Sequence, residues 1–373
     1  MSPPILLIFI DSFPFYYLDK TKYLSKFETV AKLTPGFGYS INCQAEIFAG
    51  LSPDNLGYFC EWTYDPLNSP FKKWKYLLNI LSPARKIYYL DRFLHKIIDN
   101  IYTNSKNIPF AYLHKMARNK QDIFSNYFSY DSLLKHKDTI VLPTQDFLSL
   151  PPAKRDLKIY EKSISLIDTI NNKNLIISQT ELDGIAHWHG VGSYKYNENI
   201  SLLDQRIVNL RERFLNRFKD GKVIVVSDHG MTNVKKSIKI ELEKNIGRPN
   251  DRTYYYFLDG TILRIWIFKT AVKEKIETYL ESMGIGSIID TNQRKRFGIS
   301  NRKFGDVIFL INEGLMFIPC FWGSRISKAM HGYHPDLESQ KGIILCSQKE
   351  QDLSYKSISS KDVYYFLKSK FIN

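Results

Sequence analysis

Short apolar runs alternate along this chain with longer segments in which apolar residues recur at helical spacing. The segments Ile5–Ile10 and 223–226 are apolar at every position, as expected of strands buried on both faces of a parallel sheet. Further strands are predicted at 174–178, 306–311 and Gly342–Cys346, and a hairpin at 253–268. Helices are predicted at 40–51, 154–171, 200–218, 272–283 and 359–371. This alternation predicts an α/β fold in which helices flank both faces of a central, mostly parallel sheet.

Length and composition narrow the class of protein. A chain of 373 residues with a hydrophobic fraction of 44% is large enough for one domain with an insertion or for two domains. The formal net charge of +14 favours anionic partners such as phosphate esters, nucleic acid or acidic lipids. The four cysteines show no CxxC spacing, and the first apolar run is only six residues long with no basic segment before it. We therefore expect a cytoplasmic protein without a disulfide framework, a signal peptide or a transmembrane segment.

Residues 70 to 150 interrupt the alternation of strands and helices. Between Pro70 and Lys120 there are eleven Lys or Arg residues but only two acidic residues, Asp91 and Asp99, so this stretch carries +9 of the net charge. Aromatic residues are interleaved with the basic ones, and apolar residues recur at roughly helical spacing. We predict an inserted helical segment with three open interpretations: an insertion with a solvated basic face, a cap that gives an anionic substrate a basic rim, or a surface that contacts acidic lipid headgroups.

Metal-binding side chains follow the two fully apolar strands. Asp11 comes directly after Ile5–Ile10, and Asp228 and His229 follow 223–226 after Ser227. Ligands of open α/β sheets bind outside the carboxyl ends of the strands, which is where these side chains are expected. A carboxylate beside an imidazole suits a divalent ion with oxygen and nitrogen ligands, zinc above all. An Asp at a strand end is also a common N-cap of the following helix, so the pair alone leaves both interpretations open.

Four further residues extend this candidate site. Asp183 and His187 are four residues apart, so on a helical turn their side chains share one face. Ser40 starts a predicted helix, where its hydroxyl would be either an N-cap or a group that faces a phosphoryl ligand. His331 lies in a predicted loop at 331–335, and we expect all of the site residues at the carboxyl ends of strands of the central sheet. Three imidazoles with several carboxylates meet the needs of two closely spaced divalent ions, and the serine would supply a nucleophile.

Five short segments carry a resemblance to a known family. They are Phe9-Ile10-Asp11, Ser40 with Ala49-Gly50-Leu51, Glu181-Leu182-Asp183 with His187, Ser227-Asp228-His229-Gly230-Met231, and His331-Gly332-Tyr333. In these segments the chain resembles the alkaline phosphatase superfamily, and within it the type I phosphodiesterase/nucleotide pyrophosphatase branch. The resemblance implies an alkaline-phosphatase-like catalytic domain over residues 1–373, with 70–150 as an inserted basic, aromatic helical cap.

The resemblance also implies the roles of the site residues. It assigns one divalent ion to Asp183, His187 and His331 and a second to Asp11, Asp228 and His229, with Zn²⁺ expected and Mn²⁺ as the alternative. Ser40 is expected both to ligate the second ion and to act as the nucleophile, because it lies ten residues before Gly50, where the family has its Thr or Ser. The chain departs from the family pattern at 42–44, where Asn-Cys-Gln replaces Pro-Asn-His, and near Cys60, where the family has a phosphoryl-binding Asn.

The activity implied is hydrolysis of a phosphodiester or pyrophosphate bond through a phosphoserine at Ser40. The substrate would be a nucleotide or a nucleotide- or lipid-linked sugar phosphate, with peripheral membrane contact through residues 70–120 as a further expectation. A soluble phospho-group transferase and a phosphomonoesterase of the same superfamily are the alternatives, whereas a sulfatase is disfavoured because Cys43 is not followed by x-Pro-x-Arg. A basic nucleic-acid-binding module would account for the charge but not for the metal-binding side chains. His189 and His334 are either substrate contacts or ordinary loop residues.

Overall fold

The computed structural model describes residues 3–83, 87–102, 107–119, 122–125, 128–353 and 357–371. Its strands are β1 (Ile5–Ile10), β2 (Thr29–Thr34), β3 (Trp62–Tyr64), β4 (Met116–Arg118), β5 (Thr139–Leu142), β6 (Asn174–Gln179), β7 (Lys222–Ser227), β8 (Thr232–Asn233), β9 (Lys236–Ile238), β10 (Tyr254–Leu258), β11 (Ile262–Ile267), β12 (Gly286–Ile288), β13 (Val307–Ile311), β14 (Leu315–Phe317), β15 (Ala329–Met330), β16 (Gly342–Cys346) and β17 (Ser357–Ser359). Its helices are α1 (Ser40–Ala49), α2 (Pro53–Leu56), α3 (Lys75–Leu81), α4 (Tyr88–Tyr102), α5 (Phe110–Leu113), α6 (Pro152–Thr169), α7 (Glu181–His189), α8 (Tyr194–Arg217), α9 (Leu242–Asn245), α10 (Thr270–Ser282), α11 (Thr291–Arg296) and α12 (Ser360–Phe371).

The chain folds into two compact units. The first comprises Met1–Ser52, Gln121–Asn233 and Ser327–Asn373, and the second comprises Pro53–Lys120 and Val234–Ile326. Each unit has its own sheet.

The sheet of the first unit has the strand order β17-β2-β16-β7-β1-β6-β5. Strands β7, β1, β6 and β5 run parallel, whereas β16 runs antiparallel to both β7 and β2. All residues of β1 and residues 223–227 of β7 are buried, which explains why Ile5–Ile10 and 223–226 read as unbroken apolar runs. The predicted mostly parallel central sheet is confirmed, and β2, which alternates buried and half-buried residues, was not predicted from the sequence.

Helices cover both faces of this sheet. On one face, α8 buries Ile200, Leu203, Ile207 and Leu210 at spacings of three and four residues, in one core with the even-numbered residues of β1. On the other face, Phe9 of β1 packs edge-on against a phenylalanine of α1, with ring centroids 5.5 Å apart. Each of these fully buried apolar side chains contributes about 1.5–3 kcal/mol relative to an exposed one. The two layers hold the strand ends in place.

The second unit contains an antiparallel sheet with the strand order β10-β11-β13-β12. The predicted hairpin at 253–268 is confirmed as β10 and β11, which pair in register from Tyr254–Ile267 to Leu258–Leu263. Helix α10 packs against this sheet, and the buried Arg264 forms an ion pair of 3.2 Å with the equally buried Asp259. These contacts form a core that is separate from that of the first unit.

The predicted insertion at 70–150 divides between the two units. Helices α3, α4 and α5 lie in its first part, whereas β5 is the edge strand of the sheet in the first unit and pairs with β6. Residues 84–86, 103–106, 120–121 and 126–127 of this range lie outside the described residues. No helix among the described residues is long and apolar enough to cross a membrane.

Candidate active site

Two carboxylates of the candidate site lie side by side because their strands pair in register. Ile10 of β1 pairs with Ser227 of β7, so Asp11 and Asp228 follow at neighbouring strand ends. Asp228 is fully buried, and its Oδ1 accepts hydrogen bonds from the backbone N–H groups of Ser12, at 3.2 Å, and His229, at 3.0 Å. The predicted placement of Asp11 and Asp228 beyond the carboxyl ends of adjacent strands is what the sheet register produces.

Ser40 is the first residue of α1, and its hydroxyl faces the strand ends. The N-cap position belongs to Tyr39, which makes no side-chain capping bond, so the alternative that Ser40 is an N-cap is wrong. Ser40 Oγ lies 2.9 Å from His229 Nε2 and 3.5 Å from Asp11 Oδ1. The serine hydroxyl is therefore in contact with the residues that follow both β1 and β7.

A hydrogen bond on the far side of the His229 ring indicates the protonation of the nitrogen that faces Ser40. His229 Nδ1 lies 2.9 Å from the carbonyl oxygen of Gly230, and a carbonyl can only accept a hydrogen bond. In the neutral ring the proton is therefore on Nδ1, and the Nε2 lone pair faces Ser40. The Ser40 hydroxyl thus has two acceptors within reach, that nitrogen at 2.9 Å and Asp11 Oδ1 at 3.5 Å.

Asp183, His187 and His331 form a group whose ligand atoms all lie within 4.8 Å of one another. Asp183 Oδ1 is 3.4 Å from His187 Nε2 and 3.8 Å from His331 Nε2. The first pair is four residues apart on α7, as predicted. His187 Nδ1 lies 2.8 Å from the carbonyl oxygen of Ala329, so the neutral ring turns its Nε2 lone pair toward the site, as metal-binding histidines do.

A second group joins Asp11, Asp183 and His229, again with ligand atoms within 4.8 Å of one another. Asp11 Oδ1 and Asp228 Oδ2 lie 3.5 Å and 3.6 Å from His229 Nε2. The geometry thus places Asp183 in both groups, and Asp228 Oδ2 is also 3.5 Å from the Gln44 amide nitrogen. The assignment of ligands to individual ions stays a prediction.

His331 reaches the site by a route that the sequence did not predict. It follows β15, a two-residue strand outside the central sheet that pairs with β8, so the expectation that every site residue sits at a strand end of the central sheet is wrong for His331. Because β8 follows His229 by three residues, this pairing brings His331 onto His229, with stacked rings 3.9 Å apart. The stacking joins the two groups of candidate ligands into one site.

The site concentrates negative charge in a buried place. Burial is the main reason that the pKa values of Asp11 and Asp228 are raised, and the Asp183 carboxylate raises both further. Burial would also raise the pKa of Asp183, but His187 and His331 hold it below its ordinary range. Three carboxyl groups this close can all be ionised only when cations offset their charge.

The donor set fits divalent metal ions. Asp183 Oδ1 is buried and has no hydrogen-bond partner within the part of the chain that the structure describes, although Nε2 of His187 and Nε2 of His331 lie 3.4 Å and 3.8 Å from it. Oxygen and nitrogen donors in this combination suit zinc or manganese. The seven predicted residues are brought together around a space that needs positive charge.

Several supporting residues carry no signal in the sequence. Asp156, a buried residue of α6, accepts the backbone N–H groups of Thr180, at 3.1 Å, and Glu181, at 2.9 Å, and so fixes the start of α7. Burial raises the pKa of Asp156 to about 6. Ser227 Oγ accepts the backbone N–H of Phe13 at 2.7 Å and ties the two strand ends together. Such roles depend on partners far away along the chain.

Three further candidates are not among the grouped ligands. Cys43 is buried and donates to the carbonyl oxygen of Gly36 at 3.4 Å, and its burial raises the thiol pKa, which makes it a poor nucleophile. His334 accepts from the backbone N–H of Asp336 at 3.3 Å in its loop. His189 is exposed and lines a cleft of about 450 Å³, which the side chains of Asp11, Asp183, Arg155 and Trp188 also line. This cleft offers room for a substrate beside the candidate ligands.

Comparison with known proteins identifies the family. The family model for type I phosphodiesterase/nucleotide pyrophosphatase matches residues 5–334, and the chain therefore belongs to this family. Its members are hydrolases of phosphodiester bonds, and the fold is that of the alkaline phosphatase superfamily. No curated protein sequence matches the chain.

Solved structures show the same fold at low sequence identity. Murine ectonucleotide pyrophosphatase/phosphodiesterase 5, as an inactive variant in complex with AMP, matches with a TM-score of 0.64 and 17% identity, covering 100% of this chain and 95% of that one. The human ectonucleotide pyrophosphatase/phosphodiesterase 5 matches with a TM-score of 0.63 and 17% identity, covering 99% and 94%. At these identities the likeness establishes the fold alone.

Proposed function

We propose that this protein is a metal-dependent hydrolase that cleaves a phosphodiester or pyrophosphate bond through a phosphoserine at Ser40. The observation that carries the proposal is the position of Ser40 Oγ, 2.9 Å from His229 Nε2 at the point where the two groups of candidate ligands meet. Asp183, His187 and His331 would hold one ion, and Asp11, Asp228 and His229 the other, with Asp183 near enough to serve both. Bound divalent ions would lower the pKa of the serine hydroxyl and of a water molecule and stabilise charge on the phosphoryl oxygens.

The chemistry of the chain's own residues follows in two steps. In the first step Ser40 Oγ loses its proton to solvent and bonds to phosphorus, while the bond from phosphorus to the leaving oxygen breaks and its electron pair leaves with that oxygen. In the second step a water oxygen bonds to the same phosphorus, and Ser40 Oγ departs and regains a proton. Helix α1, which begins at Ser40, presents its N-terminal N–H groups to the anionic phosphoryl group.

We propose that the substrate is an anionic phosphate ester that contains a nucleotide or a sugar phosphate. The related murine protein was solved in complex with AMP, which supports a nucleoside as one of the groups esterified to the phosphate of the substrate. The cleft beside Asp11 and Asp183 contains the exposed Trp188, whose ring suits stacking on a base or sugar, and Arg155, whose charge suits a second phosphate. The role of residues 70–150 as a cap over the substrate stays a prediction.

A substrate screen with defined metal loading tests this function. Protein stripped with EDTA is expected to be inactive and to regain activity with Zn²⁺ or Mn²⁺. Bis-p-nitrophenyl phosphate, dinucleotides and nucleotide sugars should be hydrolysed faster than p-nitrophenyl phosphate. A preference for the monoester would identify a phosphomonoesterase instead, and full activity after metal removal would contradict the proposed metal dependence.

A further inference from the structure

Helices α3 and α4 of the second unit, with the residue directly before each of them, expose many large apolar side chains. The exposed large side chains of this surface, named here the α3–α4 surface, are Trp74, Tyr76, Leu77, Ile80, Ile87, Tyr89, Leu90, Phe93 and Ile97. Tyr76 is 81% exposed and Tyr89 is 83% exposed. Elsewhere in the described chain, exposed residues of this kind are scattered along the sequence, which is normal for a folded protein.

The helices that carry these exposed side chains also have buried faces, which pack within the second unit. On α4, Tyr89, Phe93 and Ile97 follow one another at spacings of four, so they share a face. On another face of α4, His95 is buried and stacks on Phe110, with ring centroids 4.4 Å apart. On α3, Leu78 is likewise buried, and an apolar groove of about 210 Å³ lies between the two helices. The apolar face is therefore a surface of packed helices.

Cationic residues accompany this apolar face. Lys72, Lys73 and Lys75 are exposed at the start of α3, and Arg92 and Lys96 are exposed on α4. The acidic residue Asp91 lies 3.8 Å from His95 and is only 21% exposed. Aromatic and aliphatic side chains with neighbouring Lys and Arg are the composition of amphipathic helices that lie in the interface of an anionic membrane.

From this arrangement we infer that the α3–α4 surface docks the protein on a bilayer that contains anionic phospholipid. The apolar side chains enter the boundary between headgroups and acyl chains, where tyrosine and tryptophan are favoured, and the lysines contact the anionic headgroups. A symmetric pair of copies is a poorer occupant, because it would bring the same lysines against one another. The inference rests on residues of the second unit and does not depend on the proposed chemistry at Ser40.

Vesicle binding tests the inference with two matched sets of variants. The protein should sediment with vesicles of phosphatidylcholine and phosphatidylglycerol, less with phosphatidylcholine alone, and less as salt is added. Tyr89→Ser, Phe93→Ser and Ile97→Ser, combined, should weaken partitioning by about 100-fold or more. The control replaces three exposed apolar residues of the first unit, with Tyr194→Ser, Leu202→Ser and Tyr365→Ser, and should change partitioning less than about 3-fold.

The charged residues are tested in the same way. Lys72→Gln, Lys73→Gln and Lys75→Gln, combined, should weaken binding to anionic vesicles by about 100-fold at low salt. The control removes the same charge from the first unit, with Lys173→Gln, Lys195→Gln and Lys219→Gln, and should have a much smaller effect. Fluorescence of Trp74 should shift to shorter wavelength on anionic vesicles and be quenched by brominated lipid, and a Trp74→Phe variant should lose that shift.

The outcomes separate this inference from the proposed function. Each variant should keep its thermal midpoint and its activity on a small soluble diester, so a loss of vesicle binding with intact turnover supports the docking surface. Wild-type protein that does not bind anionic vesicles, or test and control variants that lose binding equally, would overturn it. Concentration-dependent self-association that the Tyr89, Phe93 and Ile97 variant abolishes, without vesicle binding in the wild type, would show that a second copy covers this face.

Discussion

At the level of single residues, hydrogen bonds to backbone carbonyls set the ring orientation of two histidines of the candidate site. The Gly230 carbonyl holds Nδ1 of His229, and the Ala329 carbonyl holds Nδ1 of His187. Both rings therefore turn Nε2 toward the carboxylates, where it can bind a metal ion or accept a proton. The same two hydrogen bonds limit ring rotation, so the ligand atoms are positioned before any ion binds.

Replacement of the serine tests the role proposed for this arrangement. Ser40→Ala should lower kcat by about 10³-fold or more, because no other hydroxyl replaces the nucleophile. Zinc content, measured by elemental analysis, should remain close to that of the wild type. The control Cys43→Ala should stay active, since the Cys43 thiol is buried and bonded to Gly36. If Ser40→Ala is active and Cys43→Ala is inactive, the assignment of Ser40 as the nucleophile is wrong.

A buried carboxyl away from the candidate ligands makes stability depend on pH. Burial raises the pKa of Glu46 from 4.5 to about 7, against the lowering effect of its hydrogen bond with Ser360 and of Lys361. Between these values the folded protein holds a proton that the unfolded chain has released, so this group's contribution to stability falls as the pH rises. Glu46→Gln should remove that loss, which amounts to about 1.4 kcal/mol for each unit of pKa difference.

Urea unfolding between pH 4.5 and 8 measures the effect of Glu46→Gln on the free energy of unfolding. Glu28→Gln, which removes an exposed carboxyl, is measured in parallel to subtract the effect of net charge. A difference between Glu46→Gln and wild type that stays constant across this range of pH would contradict the assignment.

At the level of elements, the antiparallel strand β16 closes on the end of β7 beside the site. A Cβ atom on Gly342 would lie 2.1 Å from the carbonyl oxygen of Ser227, the residue before Asp228. The two backbones can approach this closely only because position 342 has no side chain. The position of Asp228 and His229 thus depends on how β16 packs against β7.

Gly342→Ala should therefore move the end of β7, lower the thermal midpoint by several degrees and reduce both metal content and turnover. Gly184→Ala is the matched control, because its added Cβ meets nothing within 4 Å and it lies inside α7. That change should stabilise the protein by about 0.5–1 kcal/mol through higher helix propensity. Equal effects of the two alanines in calorimetry would show that the approach of β16 is not a constraint.

At the level of the whole molecule, the net charge of +14 should guide anionic substrates to the enzyme. The value of kcat/KM for a dinucleoside polyphosphate, which carries several charges, should fall by about 10-fold between 0.05 M and 0.5 M salt. For bis-p-nitrophenyl phosphate, with one charge, the fall should be less than about 3-fold, since screening acts on the product of the charges. If kcat/KM falls with salt by the same factor for both substrates, the positive net charge acts on another partner and does not guide the substrate.

Much of the fold could be predicted from local pattern. The strand Ile5–Ile10 was predicted with both of its bounds, and the helices predicted at 154–171 and 200–218 overlap α6 and α8. Such predictions succeed because burial on both faces of a strand produces a continuous apolar run, and burial of one face of a helix produces apolar residues at spacings of three and four. Strand β2 was missed because its few residues alternate without a strong apolar run.

Local spacing also indicated most of the candidate site. Neighbouring residues alone indicated that Asp11 and Asp228 follow apolar strands, that Asp183 and His187 share a helical face, and that Ser40 begins a helix, because each statement depends only on local spacing. The five segments in order were enough to indicate the family that the family model confirms.

The way in which these segments meet follows from the packing of elements that are distant along the chain. The stacking of His331 on His229, the position of Asp183 between both groups of ligands, and the buried support from Asp156 all join residues from distant parts of the chain. The pairing of β15 with β8 and the close approach of β16 to β7 produce these contacts. No periodicity in the sequence encodes them, because the free energy of such contacts depends on how whole elements pack, and that packing is settled only when the sheet and its helices have assembled.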